Sequence, residues 1–100
     1  MNDYILLMHN DATDSAAAND SAAWDIYFAH LQNCGRFEGG SAIGNGLAFR
    51  KVGQPGASGE HLSGYLRVRA DSLQEAQSFL SGNPVYEAGG TVEVRELPRD

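Results

Sequence analysis

One helix-start signature constrains this chain more than anything else in it. Ser72 and Glu75 stand three residues apart at the head of an apolar run, a capping box in which each side chain satisfies a backbone donor at the opening of a helix. Leu73, Ala76, Phe79 and Leu80 provide its buried stripe, Gly82 suits a left-handed stop, and Pro84 forbids continuation. Strand-like segments lie on either side. From Leu62 to Arg69, Leu62, Leu66 and Val68 point one way while Tyr65, Arg67 and Arg69 point the other, and from Thr91 to Leu97, Val92 and Val94 alternate with Glu93 and Arg95. The last third therefore reads strand, helix, strand.

The first part of the chain repeats that order. Tyr4 to Met8 is apolar without alternation, as expected of a strand covered on both faces. His9, Asn10 and Asp11 open a polar, alanine-rich loop to Asp20, after which Asp20 or Ser21 caps a helix with Trp24, Tyr27, Phe28 and Leu31 on one face and Gly35 at its end. Phe37 to Val52 reads as a strand in which Ile43, Leu47 and Phe49 share a face, its glycines marking bulges or the close approach of another chain. Gly53 to Gly59 then forms a loop between two antiparallel strands. Two strand, helix, strand units joined by right-handed crossovers make an α+β ferredoxin-like βαββαβ fold, a four-stranded antiparallel sheet with two helices on one face. With 100 residues, the chain has room for one domain, residues 1–100. The uncovered sheet side carries Tyr65, Arg67, Arg69 and Arg95 beside the apolar first strand, too mixed for a core. Two such sides packed about a twofold axis predict a homodimer, with a cleft remaining between sheet and helices.

Composition excludes several function classes. A net charge of −6 with Lys51 as the single lysine argues against nucleic acid, whose phosphates demand clustered cations. The same balance counts against an RNA-recognition module, which shares this element order and would use exposed aromatics such as Tyr4 and Tyr65. Tyr4 to Met8 falls far short of the roughly 20 apolar residues that span a bilayer, and Asn2-Asp3 is the wrong start for a signal peptide. No membrane association and a cytoplasmic location are expected. Cys34, the only cysteine, precludes an internal disulfide and reads as inert packing in a reducing compartment. His9, His30 and His61 lie far apart without paired ligand spacing, so neither a metal nor a cofactor is expected. Gly40 to Gly46 follows a helix and feeds a strand, the reverse of a phosphate loop.

Two constellations carry candidate chemistry. His9 ends the first strand and Asp11 follows by two, a base with an orienting carboxylate or, more blandly, the solvated opening of a loop. His30 reads as a partly exposed helix residue and His61 as surface. Tyr65, Arg67, Arg69 and Arg95 can share one sheet face, either clamping a carboxylate-bearing small molecule or forming an intersubunit salt-bridge layer with Glu93 and Glu96.

Tyr4 to Met8, Trp24 with Gly35 after it, Leu62-Ser63-Gly64-Tyr65, Ala70-Asp71-Ser72-Leu73-Gln74-Glu75-Ala76, Asn83-Pro84 and Val92-Glu93-Val94-Arg95 together resemble the YCII-related family, including its subgroup marked by an Asp-Gly-Pro-Phe loop. The resemblance implies a dimeric α/β barrel of ferredoxin-like subunits, mostly without an assigned reaction. Some members carry a His in the first helix and an Asp before the proline that follows the second, proposed as an acid/base pair. Trp24 falls near the first position and Asn83 at the second, and neither moves a proton at neutral pH. Gly53 to Gly59 replaces the Asp-Gly-Pro-Phe loop. Three function classes follow. One is a small-molecule-binding dimer with Trp24, Tyr65, Arg67 and Arg95 as ligand-binding residues. The second is a cofactor-free enzyme in which His9 acts as acid/base with Asp11, and the third is a structural or accessory dimerisation module.

Overall fold

Alternation in the first strand decides which side of the sheet becomes the core. In the computed structural model, which describes residues 1–99, β1 (Asn2–His9) buries Tyr4, Leu6 and Met8 and leaves Ile5, Leu7 and His9 half-exposed on the opposite face. The strand has a core side and an outer side, rather than two equally covered ones. Its register carries the division to both neighbours. Leu6 lies opposite Leu66 of β3 (Leu62–Ala70) and Val94 of β4 (Val92–Leu97), while Ile5 lies between Arg67 and Arg95. With β2 (Phe37–Ala42) against β3, the sheet order is β2-β3-β1-β4, antiparallel throughout.

Helices cover the core side. Asp20 caps α2 (Ser21–Asn33) by accepting from the Ala22 amide at 3.0 Å, and the helix buries Tyr27 and Leu31 against the sheet, with Trp24 and Phe28 packed at the margin. The preceding loop contains a single helical turn, α1 (Ser15–Ala18), capped by Asp14. Ser72 caps α3 (Leu73–Ser78) through the Glu75 amide at 3.1 Å. The Glu75 carboxylate, however, pairs with Arg36 and accepts from the Asp71 amide, so the capping box is opened toward the rest of the fold. Ala76 and Leu80 enter the core, whereas Leu73 in the first turn is exposed, contrary to the stripe expected from spacing.

As expected, α3 does not continue to Pro84, but the proline begins a further short helix not expected from the sequence. α3 ends at Ser78 with Phe79 as its cap, Gly82 turns the connecting segment at φ +87°, Asn83 accepts from the Val85 and Tyr86 amides, and α4 (Pro84–Glu87) follows. A proline fits there because the first helical residue needs no amide hydrogen. Cys34, expected as packing, is the exposed C-cap of α2.

The largest departure concerns the expected strand from Phe37 to Val52. Pairing stops at Ala42, and the chain runs without regular structure from Ile43 to His61. Gly39, at φ +101°, sits in a register break between Phe37 and Gly40, and the last pair is Ala42 with Gly64, two residues after β3 begins. Beyond that point no strand is present to pair with, and the period-two pattern of Leu47 and Phe49 has no sheet face to occupy. Leu47, Phe49 and Val52 stand 81%, 86% and 74% exposed. Among the described residues no helix is long and apolar enough to cross a membrane.

Candidate functional site

Because β2 is short and broken by its bulge, the sheet is incompletely covered near that edge, and a cleft of about 430 Å³ opens between sheet and helices. Trp24 and Phe28 of α2 and Phe37 of β2 line it, with Met8 and Leu66 from the sheet and Val85 from α4. The rings are organised. Trp24 and Phe28 lie 5.4 Å apart between centroids, and Phe28 stacks on Phe37 at 5.6 Å. The indole is held by its Nε1, which donates to the Ala18 carbonyl at 2.8 Å. Gly40, Ser41 and Ala42 form the β2 wall, Ser63 to Leu66 the β3 wall, and Asn19 the rim; among the described residues no Asp, Glu, Lys, Arg or His lines the cleft.

Glycine at position 40 is required by that wall. A Cβ there would lie 2.3 Å from the Tyr65 carbonyl oxygen and 2.7 Å from Leu66 Cδ2, so β2 could not approach β3 closely enough to pair.

Of the six residues singled out in the sequence, five divide between two faces of the sheet and Asp11 lies on the loop after β1. Trp24 and Tyr65 border the cleft, although Tyr65, opposite Leu7 and Ser41, takes the outward position in the alternation of β3. Arg67 and Arg95 flank Ile5 on the outer face, remote from the cleft in the layer order. Arg95 contacts Glu93 at 3.4 Å, Arg69 contacts Glu38 at 3.7 Å, and Arg67 has no ion pair among the described residues. His9 is on that outer face as well, with its Nε2 3.1 Å from Glu93 Oε1 and its ring edge-on to His61 at 4.7 Å between centroids.

Asp11 is engaged elsewhere. Its carboxylate accepts from the Thr91 amide at 2.8 Å and the Thr91 hydroxyl at 2.7 Å, fastening the loop to the entry of β4. The Thr91 hydroxyl, then its amide, hold the Asp11 carboxyl below its usual pKa. Glu93, not Asp11, is therefore the partner of His9, and the imidazole contact, followed by Arg95, holds its carboxyl low. A neighbour 84 positions away in sequence was beyond the reach of spacing arguments; only the β1–β4 register, which sets His9 diagonally across from Glu93, reveals it.

Behind the cleft, Tyr27 donates its hydroxyl to the Phe79 carbonyl at 2.7 Å. Burial pushes that phenol up, and the Asn83 amide acts in the opposite direction. The buried Asn83 nitrogen nevertheless closes no hydrogen bond of good geometry, so we read it as a weak polar contact with Tyr27 and the Oδ1 cap of α4 as the principal role of Asn83. His30 and Ile26 are exposed on α2, and His30 is 4.0 Å from Cys34 Sγ. Among the described residues no group of His, Cys, Asp and Glu is arranged to hold a metal.

No protein-family model and no curated protein matches this chain. A solved structure does: 5-chloro-2-hydroxyhydroquinone dehydrochlorinase (TftG) from Burkholderia phenoliruptrix AC1100, in complex with 2,5-dihydroxybenzoquinone, is similar over 98% of this chain and 95% of that one, with a TM-score of 0.59 and 16% identity. The likeness is one of fold, the ferredoxin-like α+β arrangement of a four-stranded antiparallel sheet with helices.

Proposed function

We propose that this chain is a single-domain, homodimeric binding protein that takes a small, planar, oxygenated ring compound into the cleft between its sheet and helices. What carries the reading is the cleft itself. Its volume suits a small molecule, its wall offers a tilted Trp24–Phe28 pair and the stacked Phe28–Phe37 pair, and among the described residues its lining includes Asn19, Ser41 and Ser63 but no charged side chain. The ring compound held by the dehydrochlorinase from Burkholderia is of the same class. A carboxylate-bearing ligand has less support, because Arg67 and Arg95 are on the opposite face of the sheet from the aromatic wall. We place the chain, on the residues quoted above, in the YCII-related family and in the cytoplasm.

The homodimer is supported by the outer face, where half-exposed Ile5, Leu7 and Tyr65 alternate with Arg67, Arg95 and Glu93. Such a surface pairs well with a second copy, which would bury the apolar strip and match the charges. Light scattering at micromolar concentration is expected to give twice the chain mass.

A second reading, a cofactor-free enzyme, draws on the 3.1 Å contact between His9 and Glu93. A carboxylate held ionised against Nε2 fixes the tautomer and leaves Nδ1 to accept a proton. Calorimetric titration with 2,5-dihydroxybenzoquinone separates the readings. Binding that is lost in Trp24→Ala and retained in His9→Ala supports the cleft; binding indifferent to Trp24 refutes it.

A further inference from the structure

The connection from Ile43 to His61 is unusually long for a domain of this size, and irregular loops beyond about 12–15 residues are commonly functional. Its ends are fastened: the Ile43 amide donates to the Ser63 carbonyl, and the Asn10 amide and side chain reach the carbonyls of His61 and Glu60. Between Gly44 and Ser58 no hydrogen bond among the described residues ties it to the body of the protein; Arg50 bonds only to the Gln54 carbonyl, inside the arm. Leu47, Phe49 and Val52 face solvent at its tip, an arrangement that costs free energy unless something covers them.

Both ends of this arm rise from the cleft mouth. Ala42, where the chain leaves β2, and Ser63, where it returns to β3, are cleft-lining residues. Phe49 is seven positions beyond Ala42, and seven extended residues reach up to about 25 Å. Gly44 and Gly46 precede the apolar tip, each with open space around it, so that the backbone there can turn freely. The arm also carries what the cleft lacks. Among the described residues the cleft wall has no charged side chain, whereas Arg50 and Lys51 follow Phe49 directly and neither makes an ion pair with a described residue.

We propose that the arm folds over the cleft on ligand binding, laying Leu47 and Phe49 on the ring and bringing Arg50 and Lys51 to its acidic oxygens. This rests on the cleft-binding reading and sharpens it, since the preferred ligand becomes an aromatic or quinonoid ring with ionised oxygen substituents. A neutral ring would gain the apolar cover only. An anion would also gain a cation in a partly desolvated setting, where charge-assisted contacts are strongest.

Calorimetric titration of the full chain with 2,5-dihydroxybenzoquinone, which is ionised at neutral pH, and with neutral hydroquinone tests this. Leu47→Ser/Phe49→Ser is expected to weaken both by about tenfold, and Arg50→Ala/Lys51→Ala to weaken the quinone about tenfold while leaving hydroquinone within about twofold. Both variants binding the quinone within about twofold of the parent, when the parent binds, overturns the arm's role and leaves the cleft standing. A parent chain that binds neither compound overturns the arm and the cleft together. Sedimentation of Leu47→Ser/Phe49→Ser at altered mass would assign the arm to contact between copies and likewise overturn the proposal.

Discussion

Gly40→Ala tests the wall on which the cleft depends. The added methyl would sit 2.3 Å from the Tyr65 carbonyl oxygen, 2.7 Å from Leu66 Cδ2 and 3.0 Å from Leu66 Cα. An ordinary carbon–oxygen contact is about 3.3 Å or more, and two of the three atoms are backbone, so rotamer changes cannot relieve the overlap. β2 must withdraw by about 1 Å. Overpacking of this kind costs about 1–3 kcal/mol, and one or two weakened ladder bonds add about 0.5–1.5 kcal/mol each. Removal of a flexible glycine from the unfolded chain returns about 0.4–1 kcal/mol, leaving a net loss of about 2 kcal/mol. With a urea dependence of about 1–3 kcal/mol per molar, the unfolding midpoint falls by about 1 M. Two controls bracket the result. At Gly46 nothing lies within 4 Å of an added Cβ, and at Gly64 the nearest atom, 3.2 Å away, is the mobile Met8 Cε. Gly46→Ala should leave the midpoint unchanged within error and Gly64→Ala should lower it by less than Gly40→Ala. Equal midpoints for Gly40→Ala and Gly46→Ala would refute the close approach of β2 to β3.

Tyr27→Phe removes the donor to the Phe79 carbonyl within the core, for an expected loss of about 1–2 kcal/mol and a melting temperature lower by about 4–8 °C per kcal/mol; an unchanged melting curve would contradict the burial of that hydroxyl. Asn83→Ala deletes the cap that accepts two amides of α4 and should cost about 1–2 kcal/mol in urea unfolding, an unaltered midpoint counting against the capping role. The pH dependence of stability follows from Arg99 beside Asp3, Thr91 beside Asp11, Arg36 beside Glu75 and His9 beside Glu93, each of which holds a carboxyl below its ordinary value. A folded pKa below the unfolded one means that the unfolded chain takes up protons first on acidification. These four contributions are therefore complete above the ordinary carboxylate range and disappear as the pH falls through the lowered folded values. Urea midpoints should be level from pH 7 to about 5 and decline below about 4.5; a rise on acidification would contradict the pairings.

Much of this fold was legible because its signals are local. The cap at Ser72, the alternation in β3 and β4 and the apolar face of α2 each lie within a few residues, and each appears where the periodicity puts it. Leu47 and Phe49 misled because alternation reports compatibility with a sheet, whereas a strand also needs a partner, and β3 runs out beside Ala42, at the end of β2 away from its bulge. Pro84 was legible as a stop but not as a start, because the same missing amide that breaks a helix interior is harmless in the first turn of the next one. At the candidate site, the aromatic residues of α2 were visible from their spacing. Phe37, which completes the wall, joins them only through tertiary packing. His9 stood out as a titratable strand end, but its partner could be known only once β1 and β4 were in register. The alternation Leu66, Arg67, Val68 already placed the arginines away from the helices, so grouping them with Trp24 joined two faces that the sheet separates.

A two-dimensional ¹H–¹⁵N spectrum of the chain titrated with 2,5-dihydroxybenzoquinone measures the cleft directly. Shifts concentrated at the Trp24 indole and at the amides of Gly40, Ser41 and Gly64, all cleft-lining groups, are the predicted result. Shifts confined to Arg67, Glu93 and Arg95 on the outer face, with the indole unmoved, would contradict the account.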